Sequence, residues 1–258
     1  MFLIGDCWER RLIEHVCKGR TFSYDEREPY ATYCEVAPNV TLGHLHIGGV
    51  GDVHSEGTAE YMTRRMASMP TRQRVIEMLA RFRRDRLGGR DPTLVVVQSH
   101  AHDYARLAET TRGTVQNARL NQNAEQMYSW WGGVQRTFLP QWLRDVEQVT
   151  NAVGLESPGS HIYWNTRNVP LIEYAQRTVG KSYNQSTPNL PIAFHAMNEL
   201  VRSHHSRWQP QVGLLDMARY GAGSDALFFG DGLHQKDWVS KAFAEILLNL
   251  LALLPLKS

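Results

Sequence analysis

The chain has 258 residues, 42% of them hydrophobic, which is enough to bury a substantial core within one domain. Its formal charge of +2 is too near neutral to argue for nucleic acid as a partner. Three cysteines, Cys7, Cys17 and Cys34, exclude a disulfide framework as the origin of the fold, while leaving room for one bridge and one free thiol.

The first predicted element is a strand over "MFLIG". Its apolar stretch is too short for a secretory signal and runs directly into polar residues. Because a first strand rarely starts at residue 2, a leader or anchor is expected upstream, which would make this a truncated lumenal or secreted domain; the compartment itself stays open. A helix follows over "RRLIEHVCKG", with Leu12, Ile13, Val16 and Cys17 on one face. "ATYCEVAPNVTLGHLHIGGVGD" reads as a second strand and then a glycine-rich loop. Two helices come next, over "TAEYMTRRMASM" and "TRQRVIEMLARFRRDRLGG", separated by Pro70. Their basic cluster, Arg64 to Arg90, is expected to be a solvated helix face, with an anionic ligand or membrane surface as the sharper alternative.

"TLVVVQSHAHD" has the β-branched apolar run of a central parallel strand. Residues 105–150 are expected to be mainly helical. "SHIYWNTRNVP" gives a fourth strand, "GKSYNQSTPN" a loop, "IAFHAMNELVRSHHSRW" a helix, and "VGLLDMARYG" a fifth strand. "DWVSKAFAEILLNLL" closes the chain as a buried helix; its apolar run is too short to span a bilayer. Five strand–helix alternations predict a single α/β domain over 1–258. The expected architecture is a three-layer α/β/α sandwich around a doubly wound, five-stranded parallel sheet.

In open α/β sheets, ligands bind beyond the carboxyl ends of the strands, so the residues that follow each apolar run are the candidates. These are Gly5, Asp6 and Cys7; Gly43, His44, His46, Gly48 and Gly49; Gln98, Ser99, His100, His102 and Asp103; Trp164, Asn165 and Arg167; and Asp216, Arg219, Asp231 and His234. An aspartate three residues before a histidine can orient the imidazole, leaving its other nitrogen to deprotonate a nucleophile. Asp231 and His234 have that spacing, just before the last helix.

With "GDC" closing the first strand and "DGLH" preceding the final helix, the chain resembles the SGNH (GDSL-type) hydrolases, and among them the PC-esterase-like branch. "VVVQSHAHD", "IYWNTRNVP" and "VGLLDMARYG" resemble that family's central block, fourth strand and the strand before its catalytic loop. The resemblance implies Cys7 as nucleophile, His234 as base and Asp231 as its orienter. Oxyanion donors would be the backbone N–H of Cys7 and of Gly48 or Gly49. Gln98, His100 or His102 would stand in for the side-chain donor, often asparagine, that the family supplies. It further implies hydrolysis or transfer of a small acyl group, such as an O-acetyl ester on a carbohydrate, with no cofactor and no metal.

Two departures from the family pattern matter. Cysteine stands where the family has serine, and His100 replaces a small residue in the central block. The cysteine is compatible with a thiol hydrolase or transferase, a catalytically silent binding or interaction domain, or an engineered substitution; a buried structural cysteine is the bland reading. His44, His46, His100, His102 and Asp103 could form a zinc set, but "HAHD" lacks the spacing of an H-x-H-x-D-H motif, and hydrogen-bonded loop histidines are the reading adopted. Among the seven tryptophans, Trp164 is the candidate for stacking on a sugar ring, because it follows a strand on the active edge.

Overall fold

The structure is a computed structural model that describes residues 1–18, 22–23, 31–51, 69–100, 102–103, 106–107, 124–168, 190–208, 211–220 and 236–255. Its strands are β1 (Phe2–Gly5), β2 (Phe22–Ser23), β3 (Ala31–Ala37), β4 (Val40–His46), β5 (Leu94–Val97), β6 (His161–Asn165) and β7 (Val212–Leu215). Its α-helices are α1 (Cys7–Val16), α2 (Thr71–Arg86), α3 (Ala124–Gly133), α4 (Leu139–Glu156), α5 (Leu190–His204), α6 (Met217–Tyr220) and α7 (Asp237–Leu253). A π-turn at Val134–Phe138 joins α3 to α4, and a 3₁₀ turn at His205–Arg207 follows α5.

Among the described residues the strands form one seven-stranded sheet in the order β2-β3-β4-β1-β5-β6-β7. From β4 to β7 the neighbours are parallel, whereas β2, β3 and β4 pair antiparallel. The sheet is therefore mixed, not the five-stranded parallel sheet expected. The difference arises at Pro38-Asn39, where the stretch read as one strand folds back on itself. Asn39 takes a left-handed φ of 67°, and Ala37 pairs with Val40 across the turn. As a result His44 and His46 lie within β4 rather than in the loop after it.

Period-two alternation sends each central strand's side chains to two faces. Phe2, Ile4, Val95 and Val97 join one buried cluster with Val75, Leu79 and Phe82 of α2, Trp142, Val146 and Val149 of α4, and Phe194 and Met197 of α5. Leu3, Leu94 and Val96 join a second cluster with Leu12 and Ile13 of α1 and Val239, Phe243 and Leu247 of α7. β1 and β5 are buried throughout, which explains why they carry continuous apolar sequence.

The second cluster also contains the Cys17–Cys34 disulfide, which ties the end of α1 to β3. No helix among the described residues is long and apolar enough to cross a membrane. The order of the parallel strands turns around at β1: β4 lies on one side of it, and β5, β6 and β7 follow on the other. The crevice beyond the carboxyl ends of β1 and β5 is thus the topological switch point, where open α/β sheets bind ligands.

Candidate functional site

β1 delivers Asp6 and Cys7 to this switch point. Asp6 caps α1, its Oδ1 accepting from Trp8 N at 2.9 Å, and Cys7 opens the helix. The helix therefore begins three residues earlier than its apolar pattern predicts, because the cap residue, not the apolar stripe, sets the start. Since Cys17 and Cys34 are bonded to each other, Cys7 is the cysteine outside the disulfide. Asp231 and His234 lie outside the described residues, as do residues 58–68 of the first predicted basic helix and "GKSYNQSTPN".

On the β4 side, residues 47–51 form the glycine-rich loop, and it is firmly braced. Asp103 is buried and accepts from Val50 N (3.1 and 3.2 Å), Ser99 Oγ (2.5 Å) and Trp142 Nε1 (3.1 Å). Thr71 Oγ1 donates to the carbonyls of Gly49 (3.3 Å) and Gly51 (3.2 Å), and Arg74 Nη2 donates to His46 O (3.0 Å). Gly49 has φ 111°, and a Cβ there would lie 2.7 Å from Asp103 Oδ1, so glycine is required for both backbone and space.

Asp103 thus serves as an anchor for this loop. Thr71 and Arg74 escaped the sequence reading. Arg74 belongs to the basic cluster expected to be solvated, yet it is buried, and Arg83 and Arg86 of the same helix are also engaged, with Asp91 and Glu156 and with the Tyr33 ring. Arg74 falls on the helical stripe of Thr71, Val75, Met78, Leu79 and Phe82, a position that treating the basic cluster as one solvated face overlooks.

His44, His46 and His100 are kept neutral. His44 is fully buried, and its ring's hydrogen bond, to the backbone of Asp6, is a weak one. Burial, seconded by Arg10, pushes it down to about 3 from an ordinary 6.5, while Asp6 pulls the other way. His46 is held well below 6.5 by burial and by its neighbours His102 and His44, whose rings lie 5.2 and 6.3 Å away. His100 is also fully buried. Burial lowers it to about 4 against the pull of Asp6 and Asn198, and its Nδ1 lies 3.4 Å from Gln98 Nε2.

The expectation of hydrogen-bonded loop histidines is corrected for His44 in its placement, since it is a strand residue, while its ring keeps a partner in the Asp6 backbone. Among the described residues no group of three or more histidine, cysteine, aspartate or glutamate side chains could hold a metal ion.

His100 stacks on Phe194 (5.7 Å, 16° between planes) and lies 5.5 Å from Trp142 and 6.1 Å from Trp164. Trp164 itself is 0% exposed, enclosed by Trp142 at 6.1 Å and Trp208 at 6.3 Å. The expectation that Trp164 stacks on a ligand is corrected: it presents no face to solvent and belongs to the core. Its place in β6 turns it inward, and an expected place after the strand could not reveal that.

On the β6 side, Glu9 of α1 and Arg167 form an ion pair in which each side chain is only 2% exposed. Asn165 Nδ2 also donates to Glu9 Oε1 at 3.4 Å, and the Arg167 guanidinium lies 4.5 Å from the centre of the Trp8 ring. Asn198 of α5 locks the Arg167 backbone from both sides, accepting from its N–H (3.2 Å) and donating to its C=O (2.8 Å). Glu9 carried no sequence signal, since it precedes the helix that the apolar pattern predicts; the structure makes it a first-turn acid. The switch point therefore brings together Asp6, Cys7, His44, His46, the Gly48-Gly49 loop, His100 and the Glu9–Arg167 pair. No family model matches the chain, and no curated protein matches it either.

Proposed function

We propose that the chain is an acyl-ester hydrolase or acyltransferase of SGNH type, acting on small acyl esters such as O-acetyl groups of carbohydrates. In this reading the parallel strands β4 to β7 with their flanking helices are the doubly wound core of a single domain over 1–258, and β2 and β3 extend its edge. The observation that carries the proposal is the seat of Cys7: the first residue of α1, directly beyond β1, at the switch point. A thiol at a helix N-terminus is favoured as thiolate by the helix dipole and the free N–H groups of the first turn. The disulfide elsewhere in the chain supports a lumenal or secreted setting.

The reaction proceeds in two halves. His234, oriented by Asp231, takes the Cys7 proton, and sulfur attacks the ester carbonyl, whose electron pair moves onto oxygen. The Cys7 N–H and the amide of Gly48 or Gly49 stabilise that oxyanion, with His102 as the side-chain donor. Collapse breaks the ester C–O bond, and the departing alkoxide recovers the proton from His234. Water, or an acceptor hydroxyl in a transferase, then gives its proton to His234 and attacks the thioester. The C–S bond breaks and the proton returns to sulfur.

Cysteine in a serine's seat favours a second reading, a catalytically silent binding or interaction domain. A chromogenic acetyl ester separates the two. Turnover is expected in the parent chain and in Cys7→Ser, with a loss on the order of 10³-fold or more in Cys7→Ala and in His234→Ala. Folded but inactive parent and Cys7→Ser proteins would decide for the silent module.

A further inference from the structure

We propose that Glu9 and Arg167 are positioning residues, a buried clamp that fixes the first turn of α1 and with it Cys7. The proposal rests on Cys7 being the reactive thiol. A buried ion pair is a poor stabiliser: replacing one by apolar residues of similar volume is often neutral or favourable, because desolvation offsets the attraction. Here, nevertheless, the surroundings of Cys7 are committed to one. Gly5 lacks a Cβ where the Glu9 carboxylate lies against it; any side chain there would collide with that carboxylate. Trp8 lies under the guanidinium, and Glu9 supplies the anion. These three residues bracket Cys7 in the chain.

The far side of the clamp is equally fixed. Arg167 follows β6, and its backbone is held by the reciprocal hydrogen bonds of Asn198 from α5. Asn165, the last residue of β6, reaches Glu9 as well. The first turn of α1 is thereby tied across β5 to the end of β6 and to a helix on the opposite face of the sheet. Supporting a reactive side chain through locked neighbours is what such a site requires, and a loss of about an ångström in placement can cost a hundredfold in rate.

The test uses the fact that Cys7 is the sole thiol while the Cys17–Cys34 bridge is intact. The rate of Cys7 alkylation by iodoacetamide at pH 7.5 needs no catalytic turnover, so it reads the clamp even where the ester assay shows nothing. In the double variant Glu9→Met/Arg167→Met the charges leave together. We expect a melting temperature no more than a few degrees from the parent, an alkylation rate changed about tenfold or more, and, in the ester assay, a fall in kcat with KM little moved.

Arg167→Lys, which keeps the charge but loses the planar fork and the ring contact, is expected to fold and to shift the alkylation rate in part. A folded double variant or a folded Arg167→Lys with parental alkylation overturns the proposal. So does failure of both variants to fold, which would make the pair an element of folding instead. Normal clamp behaviour with an inactive parent would sink the esterase reading alone.

Discussion

The two edges of the sheet are built on opposite terms. At the amino edge, most polar groups are matched and partly wet, although Ser157 Oγ makes no well-formed hydrogen bond among the described residues. Arg83 pairs with Asp91 at 2.7 Å and Glu156 at 2.9 Å, Gly159 N donates to Asp91 at 2.7 Å, and Ser160 Oγ donates to Pro92 O at 2.6 Å. At the carboxyl edge, polar groups are more deeply buried and less completely matched. Asp6 Oδ2, Glu9 Oε2, Gln98 Oε1 and Asn165 Oδ1 make no well-formed hydrogen bond among the described residues, and the rings of His44 and His100 are weakly partnered, by the Asp6 backbone and the Asn198 side chain. Burying such atoms unmatched costs free energy, so the carboxyl edge spends stability that the amino edge and the two apolar clusters supply. That asymmetry is expected where one edge is kept for chemistry.

Acid should strike the two edges most unequally, and it is the largest effect expected. The unfolded chain protonates its histidines near pH 6.5, whereas folded His44 and His100 do so only near 3 and 4. Their contribution to stability is therefore complete above about pH 6.5 and is lost as the pH falls toward those values. The slope is about 1.4 kcal/mol per pH unit for each imidazole. With domain stabilities of about 5–15 kcal/mol, much of the fold's margin goes before pH 4. Urea midpoints measured from pH 7.5 to 4.5 should fall steadily, and His44→Gln should reduce the slope by about one proton. A flat profile in the parent would show that the carboxyl edge does not hold these imidazoles neutral.

The second effect is local to the loop on the β4 side. Asp103→Ala removes the acceptor shared by Val50, Ser99 and Trp142 and leaves three buried donors unmatched. We expect a loss of about 3–5 kcal/mol in chemical denaturation, little changed by salt because the group is buried. Gly49→Ala should lose stability too, since alanine there meets both the strained φ and Asp103. A loss below 1 kcal/mol in Asp103→Ala would mean that the loop is not braced as described.

These effects also mark what the sequence could tell. The buried strands were legible because both their faces are covered: "FLIG", "LVVV" and "IYW" have no polar alternation to confuse the reading. The switch-point residues were legible because they follow those runs. The β3–β4 hairpin was not read, although Pro38-Asn39 between two alternating stretches is a turn signal; the glycines further on drew the loop to the wrong place.

Arg74, Thr71 and Glu9 were illegible for a deeper reason. Their partners are 20 to 158 residues away in the chain, and although Thr71 and Arg74 share the buried stripe of α2, nothing local names what a buried arginine binds. Trp164 failed in the opposite sense: the expectation sets it after the strand, whereas it lies within β6, and the direction of its side chain depends on Trp142 and Trp208, which only the fold brings near.

The smallest effect belongs to the matched edge and completes the contrast. Arg83→Ala removes two ion pairs from a side chain 26% exposed, and the carboxylates of Asp91 and Glu156 can turn to water when it leaves. Partly solvated pairs of this kind are worth about 1 kcal/mol each at most, so a total of about 1–2 kcal/mol is expected. The difference between parent and variant should shrink in 0.5 M salt, where screening acts within a few ångströms. Asp91 keeps a structural task in the variant, because it still accepts from Gly159 N and so holds the turn into β6. A loss as large as that of Asp103→Ala, or one insensitive to salt, would mean that the amino edge is as dry as the carboxyl edge, and the division of labour between them would have to be abandoned.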